Sequence, residues 1–385
     1  MNILLIMTAF RLSEVNGFYY KGSGTTHFYR YSPFGNLSLC CPITQGEITS
    51  ETIDLKDIKL YPLKLINTLR GFLLYSKYNR RVIRNAVKQA DAVIAYVPSR
   101  DADYAQKLAK KQGKPCLLIA IGCPWDAYWN HSWKGKLMAP LAYWGMRHTL
   151  KFADRTIYVT QQFLQQRYPT NGVSIGISNV ILKEFDDYSI KDRLKKIKKM
   201  SIDSSSEIKM ATCAAIDVKY KSQADVIKAI SRLKHQYNIH YYLAGQGKQE
   251  YLSRIASAYG VLDRVHFLGI LDANGVKKLL KTIDIYIQPS KQEGLPRSII
   301  EALALGVPCL GANTGGIPEL LPEFCIFGKG NINEIVDKIV LILNKRRLTE
   351  LTNANFLKAK EFEFDRLEKL RNQFIKDSLV LDDKK

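Results

Sequence analysis

The chain has 385 residues, 46% of them hydrophobic and 24% charged, and a formal charge of +21. That length exceeds what one hydrophobic core usually organises, so two domains are expected, and the composition is that of a globular protein rather than a disordered one. No run of about 18 apolar residues occurs to span a bilayer, and the seven cysteines lack any Cys-x-x-Cys spacing, which points to a reducing compartment without structural zinc.

Met1–Phe10 is apolar but has neither a basic leader nor a small-residue cleavage site, so it reads as a first strand and not as a signal peptide. A loop over Arg11–Thr26 is expected next. Its piece Lys21-Gly-Ser-Gly-Thr-Thr26, with Gly22 and Gly24, is able to cradle a phosphate through backbone N–H groups, although it is no complete dinucleotide or P-loop fingerprint. Ala92–Val97, Pro115–Ile121 and Asp154–Thr160 read as buried strands, with a helical segment at Leu108–Lys111 between the first two. Asp126 and His131 fall in an expected loop after the second and are the side chains of this half able to act as a base, His131 having an equally good reading as a surface histidine.

Charge is unevenly placed, +16 over residues 1–200 and +5 over the rest. Leu63–Lys88 and Trp133–Phe152 mix Lys and Arg with Leu, Tyr and Trp, a pattern that suits the headgroup region of anionic lipid or, equally, ordinary packing helices with a solvated charged face. No zinc-finger, RNP or basic-zipper pattern points to nucleic acid. Lys183–Ser206, dense in lysine and ending in three serines, reads as a solvated connection between domains.

A second alternation of strands and helices follows. Lys209–Ala215 is an expected strand leading to Lys219 and Lys221. His240–Ala244 leads to Gly245-Gln-Gly247, and Val265–Leu268 to Gly269-Ile270. Asp284–Ser290 has a strand's alternation, then Glu293-Gly-Leu-Pro-Arg-Ser-Ile-Ile-Glu301 reads as a tight turn opening a helix over Ser298–Leu305. Pro296 suits the first helical position, Gly306 marks the stop, and Val307–Gly311 is the next strand. A helix start favours an anion, and two carboxylates eight residues apart flank it, at most about 12 Å from each other along the helix.

The stretch from Glu293 to Glu301, with Ala302-Leu-Ala-Leu-Gly-Val-Pro308 and Thr314-Gly-Gly-Ile-Pro-Glu319, resembles the donor-binding half of glycosyltransferase family 4. The likeness is specific over about residues 208–345. It implies an α/β, GT-B chain of two doubly wound, Rossmann-like domains facing a cleft. Residues 1–182 would form the acceptor-side domain, 183–350 the donor domain, and 351–385 a helical segment packing back on the first. It implies a retaining glycosyltransferase that moves a sugar from UDP or GDP to a saccharide and needs no metal or other cofactor. The basic first half and its Trp/Lys helices add the expectation of a lipid-linked acceptor, bound for a cell-surface polysaccharide, and of an enzyme sitting peripherally on the inner face of the cell membrane. In that frame Glu293 orients the donor sugar, Glu301 holds the ribose hydroxyls, and N–H groups near Gly294 and Leu295 face the distal phosphate. Lys221 takes up the diphosphate, with Lys219 as its rival for that role, Gly22 and Gly24 face it, and Gly245, Gly247 and Ile270 line the nucleotide side. Gly315 and Gly316 have a structural reading. The sequence departs from the family at one point: alanine (Ala214 or Ala215) stands where an arginine usually meets the diphosphate. Alternatives are a nucleotide-sugar epimerase of the same fold and a non-catalytic nucleotide-sugar-binding subunit.

Overall fold

The computed structural model describes residues 1–23, 27–46, 52–66, 68–185 and 187–379. Two sheets organise it. The first takes β1 (Asn2–Ile6), β2 (Arg11–Val15), β3 (Phe18–Ser23), β4 (Asn36–Gln45), β5 (Lys59–Leu63), β6 (Ala92–Val97), β7 (Cys116–Ala120), β8 (Arg155–Tyr158) and β9 (Val173–Gly176). Their order is β3-β2-β4-β1-β6-β7-β8-β9, with β5 also on β4, and only the β2–β3 pair is antiparallel. The second takes β10 (Glu207–Cys213), β11 (Asn238–Ala244), β12 (Val265–Gly269), β13 (Ile285–Gln288), β14 (Cys309–Ala312) and β15 (Ile326–Phe327), all parallel in the order β12-β11-β10-β13-β14-β15.

Strand periodicity sorts the first core into two layers. Leu4, Ile6, Val93, Ala95, Leu118 and Ala120 face Ile83, Val87, Ala105, Met146 and Leu150 of the helices Leu69–Gln89, Arg100–Lys111 and Trp133–Lys151. The alternate positions Ile3, Leu5, Ile94, Leu117 and Ile119 join the larger cluster that also holds Leu367, Phe374 and Ile375 of the last helix, Phe364–Leu379. That helix is tied to the first sheet's side by Arg371, which donates to Ser178 O at 2.6 Å. Every residue of β6, β7 and β13 is buried, as strands covered on both faces must be.

Strand order reverses between β1 and β6 in one sheet and between β10 and β13 in the other. A crevice opens at the carboxyl ends of the strands at such switch points, and the chain brings the two crevices face to face.

Three expectations change. Over Arg11–Ser23 the expected loop is instead the hairpin β2–β3, turned by Asn16 (φ 51°) and Gly17 (φ 79°); an Asn-Gly pair is the pair that such a two-residue turn demands. Gly22 thus lies in a strand, and Gly24 lies outside the described residues. The lysine-rich connection holds a helix, Asp187–Lys199, that docks on the second domain. Its buried Arg193 donates to Leu280 O, Ile283 O and Leu305 O at 2.7–2.9 Å, meeting orphan carbonyls at the ends of two helices, and burial pulls its guanidinium down to about 10. Pro296 is the cap, with the helix beginning at Arg297.

Candidate active site

Between the sheets lies a cavity of about 340 Å³. Met7, Ala9 and Phe10 after β1, Tyr96 at the end of β6, and Ile121, Val159 and Asn179 form one wall; Glu293, Gly294, Leu295, Pro296 and Arg297 form the other. The second wall is the turn and helix start read from sequence.

The turn is held from beneath by a buried polar chain. Tyr286 OH donates to Gln288 Oε1 at 2.7 Å; Gln288 Nε2 donates to Ser290 Oγ at 2.8 Å and to Glu293 Oε1 at 3.0 Å. Lys221 Nζ donates to the same Glu293 oxygen at 2.7 Å, from the 3₁₀ turn Lys219–Lys221 that follows β10. Glu293 is therefore a positioned carboxylate in a low-dielectric setting, and half-buried Lys221 is aimed at it. Lys219 is exposed and lies over the Tyr251 ring, 5.5 Å from its centroid. The two lysines are not equivalent.

Glu301 lies one turn down the Arg297–Ala304 helix, next to Cys213 at the end of β10. Burial pushes its carboxyl above the usual 4.5, and Arg297, one turn earlier, pulls it partly back. Its charge in turn helps burial to raise the Cys213 thiol. It does not line the cavity itself but sits behind it, at the switch point of the second sheet.

The glycines act mainly through close approach. Gly245 (φ 155°) follows β11, and a Cβ there would meet Ala214 O at 2.1 Å; one on Gly247 would meet the Asp217 carboxylate at 2.4 Å. Both stand with the exposed Ile270 on the rim of the second sheet, outside the cavity lining. Gly315 (φ 57°) and Gly316 pack under the turn, where Gly316 N–H donates to Gly294 O at 2.6 Å.

Asp126 and His131 are not brought to the cavity. Asp126 is buried in the first turn of the helix Pro124–Trp129, 3.9 Å from Arg167, and does not line the cavity. His131 is exposed beyond that helix. Gln288 and Glu319 escaped the sequence reading. A polar residue ending an otherwise apolar strand was the signal for Gln288; Glu319 gave none, because it acts on residues over 150 positions away. Its carboxylate accepts from the N–H groups of Gln161, Gln162 and Phe163 at 2.6, 3.1 and 2.6 Å, stitching the second domain to the first.

The family model for "Glycosyl transferases group 1" matches residues 195–357. Protein CapJ of Staphylococcus aureus is 32% identical over 338 residues, 86% of this chain and 79% of that protein. The chain belongs to the group 1 glycosyltransferases. Its fold is GT-B: Anabaena HepE, solved with UDP and glucose, superposes with a TM-score of 0.66 over 97% of this chain and 99% of that one, at 16% identity. WaaG, a glycosyltransferase involved in lipopolysaccharide biosynthesis, superposes at 0.64 over 97% and 99%, at 14% identity. In this glycosyltransferase the cavity lies between the two Rossmann-like halves, alanine stands at 214 and 215, and Lys221 pairs with the Glu293 carboxylate at 2.7 Å.

Proposed function

We propose that the enzyme transfers a hexose, with retention of anomeric configuration, from UDP or GDP to a lipid-linked saccharide acceptor during cell-surface polysaccharide synthesis, at the cytoplasmic face of the membrane. The observation that carries this reading is the Lys221–Glu293 pair at 2.7 Å, set at a helix start on the cavity wall with half-buried Glu301 behind it.

The donor lies with its nucleoside toward β10 and β11 and its sugar toward Glu293. Ionised Glu301 accepts hydrogen bonds from the ribose hydroxyls. The diphosphate meets Lys221 and the positive end of the Arg297–Ala304 helix, which stabilise the charge that grows as the glycosidic bond breaks. When the sugar arrives, Lys221 turns from Glu293 to phosphate, and Glu293 accepts from sugar hydroxyls. The acceptor hydroxyl attacks from the leaving-group side and passes its proton to the departing phosphate, so no side-chain base is assigned and no metal is required. The UDP and glucose bound by HepE and the role of WaaG in lipopolysaccharide synthesis support the donor and acceptor classes. For the membrane, support comes from the basic first half; no helix among the described residues is long and apolar enough to cross a bilayer.

A thermal-shift screen with UDP, GDP, ADP and their sugars, followed by transfer to a lipid extract and NMR of the product's anomeric proton, tests the reading. Stabilisation by a nucleoside diphosphate and a product of unchanged configuration are expected. An inverted product, or isomerised donor in the absence of acceptor, would overturn it.

A further inference from the structure

Trp133, Leu137, Leu141 and Trp144 recur at helical spacing along one side of the Trp133–Lys151 helix, and each is 65–69% exposed. His148 and Phe152 continue the line. Four large apolar side chains in a row, turned to water on a helix without one acidic residue, are no ordinary solvated face. Right-handed crossovers place the Leu69–Gln89 helix on the same side of the sheet, and there Leu73 and Leu74 are also exposed. The two helices together carry ten Lys or Arg and no Asp or Glu.

Position gives the stripe its meaning. Asn130, three residues before Trp133, donates across the cleft to Lys291 O at 3.0 Å, so the stripe starts at the cleft rim. It ends about 28 Å further on, by the helix rise. At that far end is a second cavity, about 220 Å³, lined by Asp103, Gln106, Lys107, Lys110, His148, Thr149 and Phe152. Its one carboxylate is fully used: Asp103 accepts from Thr149 Oγ1 and from Lys107 Nζ, both at 2.8 Å. Lys110 has only a long, exposed pairing with Asp154 at 3.8 Å, an interaction of little worth that a better anion would displace.

We infer that this side of the first domain is the enzyme's seat on an anionic bilayer. The Trp133–Trp144 stripe enters the interfacial zone, and the cavity at its end takes the phosphate of a lipid headgroup between Lys110 and His148, with Phe152 against the headgroup's carbon skeleton. The inference rests on the membrane reading above and adds an orientation: the cleft rim meets the bilayer at Trp129 and Trp133, where a lipid-borne saccharide reaches Glu293. The headgroup cavity lies a helix length away, so it anchors and does not bind acceptor. Charge complementarity selects lipid, since stripe and cations share one face.

The test is co-sedimentation of the full chain with vesicles of phosphatidylcholine alone, and of phosphatidylcholine mixed with phosphatidylglycerol or with phosphatidic acid at matched surface potential. Wild type should bind both anionic mixtures at least tenfold more tightly than phosphatidylcholine, and phosphatidic acid, a phosphomonoester, more tightly than phosphatidylglycerol. L137E/W144E, at exposed positions, should lose tenfold or more on both while keeping the nucleotide-induced thermal shift. K110Q/H148Q should lose only the preference for phosphatidic acid. Wild type indifferent to anionic vesicles sinks the membrane reading itself. Wild type that binds, with L137E/W144E binding equally well, sinks the seat alone; equal affinity for the two anionic lipids sinks the headgroup cavity.

Discussion

Lys221 Nζ donates to Glu293 Oε1 at 2.7 Å on the second domain's side of the cleft, each side chain under a fifth exposed. On the proposed reading, these already oriented partners exchange one another for phosphate and sugar hydroxyls when the donor binds. Glu293→Gln should lower kcat by roughly 100-fold with little change in donor KM, whereas Lys221→Met should change both. Because the two residues share one contact, the double variant should lose less than the sum of the single losses in free energy. Steady-state kinetics on the three variants checks this, and full additivity would mean that the pair does not act as a unit.

Glu301 gives a pH dependence of definite sign. Its folded value is raised by burial, so ionisation costs more in the folded state than in the unfolded one, and stability falls as pH rises through the raised value. Glu301→Gln should therefore raise Tm at neutral pH and flatten its dependence on pH above 4.5. On the proposed reading, in which the ionised carboxylate holds the ribose, donor KM in wild type should fall as pH climbs through the same window. In the variant KM should be high and insensitive to pH. Melting curves and donor titrations between pH 4 and 8 read both effects.

Glu319 joins the domains through three backbone N–H groups. Hydrogen bonds to an ionised acceptor are stronger than neutral ones, so Glu319→Ala should cost about 1–2 kcal/mol in unfolding free energy. Small-angle scattering should show a wider distribution of interdomain distances. A variant with unchanged melting and scattering would remove this clasp from the account.

Gly294 sets how closely the halves approach. A Cβ there would lie 2.6 Å from Ile121 O, which belongs to the first domain. Gly294→Ala should therefore spread the cleft and cut activity at least tenfold while far-UV circular dichroism stays unchanged. Gly315→Ala carries a second penalty, a positive φ besides a Cβ 2.3 Å from Glu293 O, and should lower Tm as well.

Much of the second domain was legible in the residue string because its signals are local. Apolar runs of strand length, glycines at strand ends and a helix stop at Gly306 each depend on a few neighbours. The expected strands over 209–215, 240–244, 265–268 and 307–311 therefore fall within a few residues of β10, β11, β12 and β14. The first domain was less legible. Its Asn-Gly hairpin went unread among glycines that suggested a phosphate loop; in the connection that follows it, Arg193 was lost in a lysine run whose solvent-facing members mask this buried guanidinium.

Composition, periodicity and the spacing of Glu293 and Glu301 determined by themselves that two parallel-sheet halves would form, with a carboxylate-flanked helix start in the second. Which side chains meet was left to the tertiary structure. It drew Lys221 and Gln288 onto Glu293, kept Asp126 and His131 away from the cavity, and set Glu319 against a helix 156 residues distant. The reason is range. Backbone preference and hydrophobic alternation act over a handful of residues and survive in the sequence, whereas a hydrogen bond across a cleft exists only once two separately folded sheets have been brought face to face.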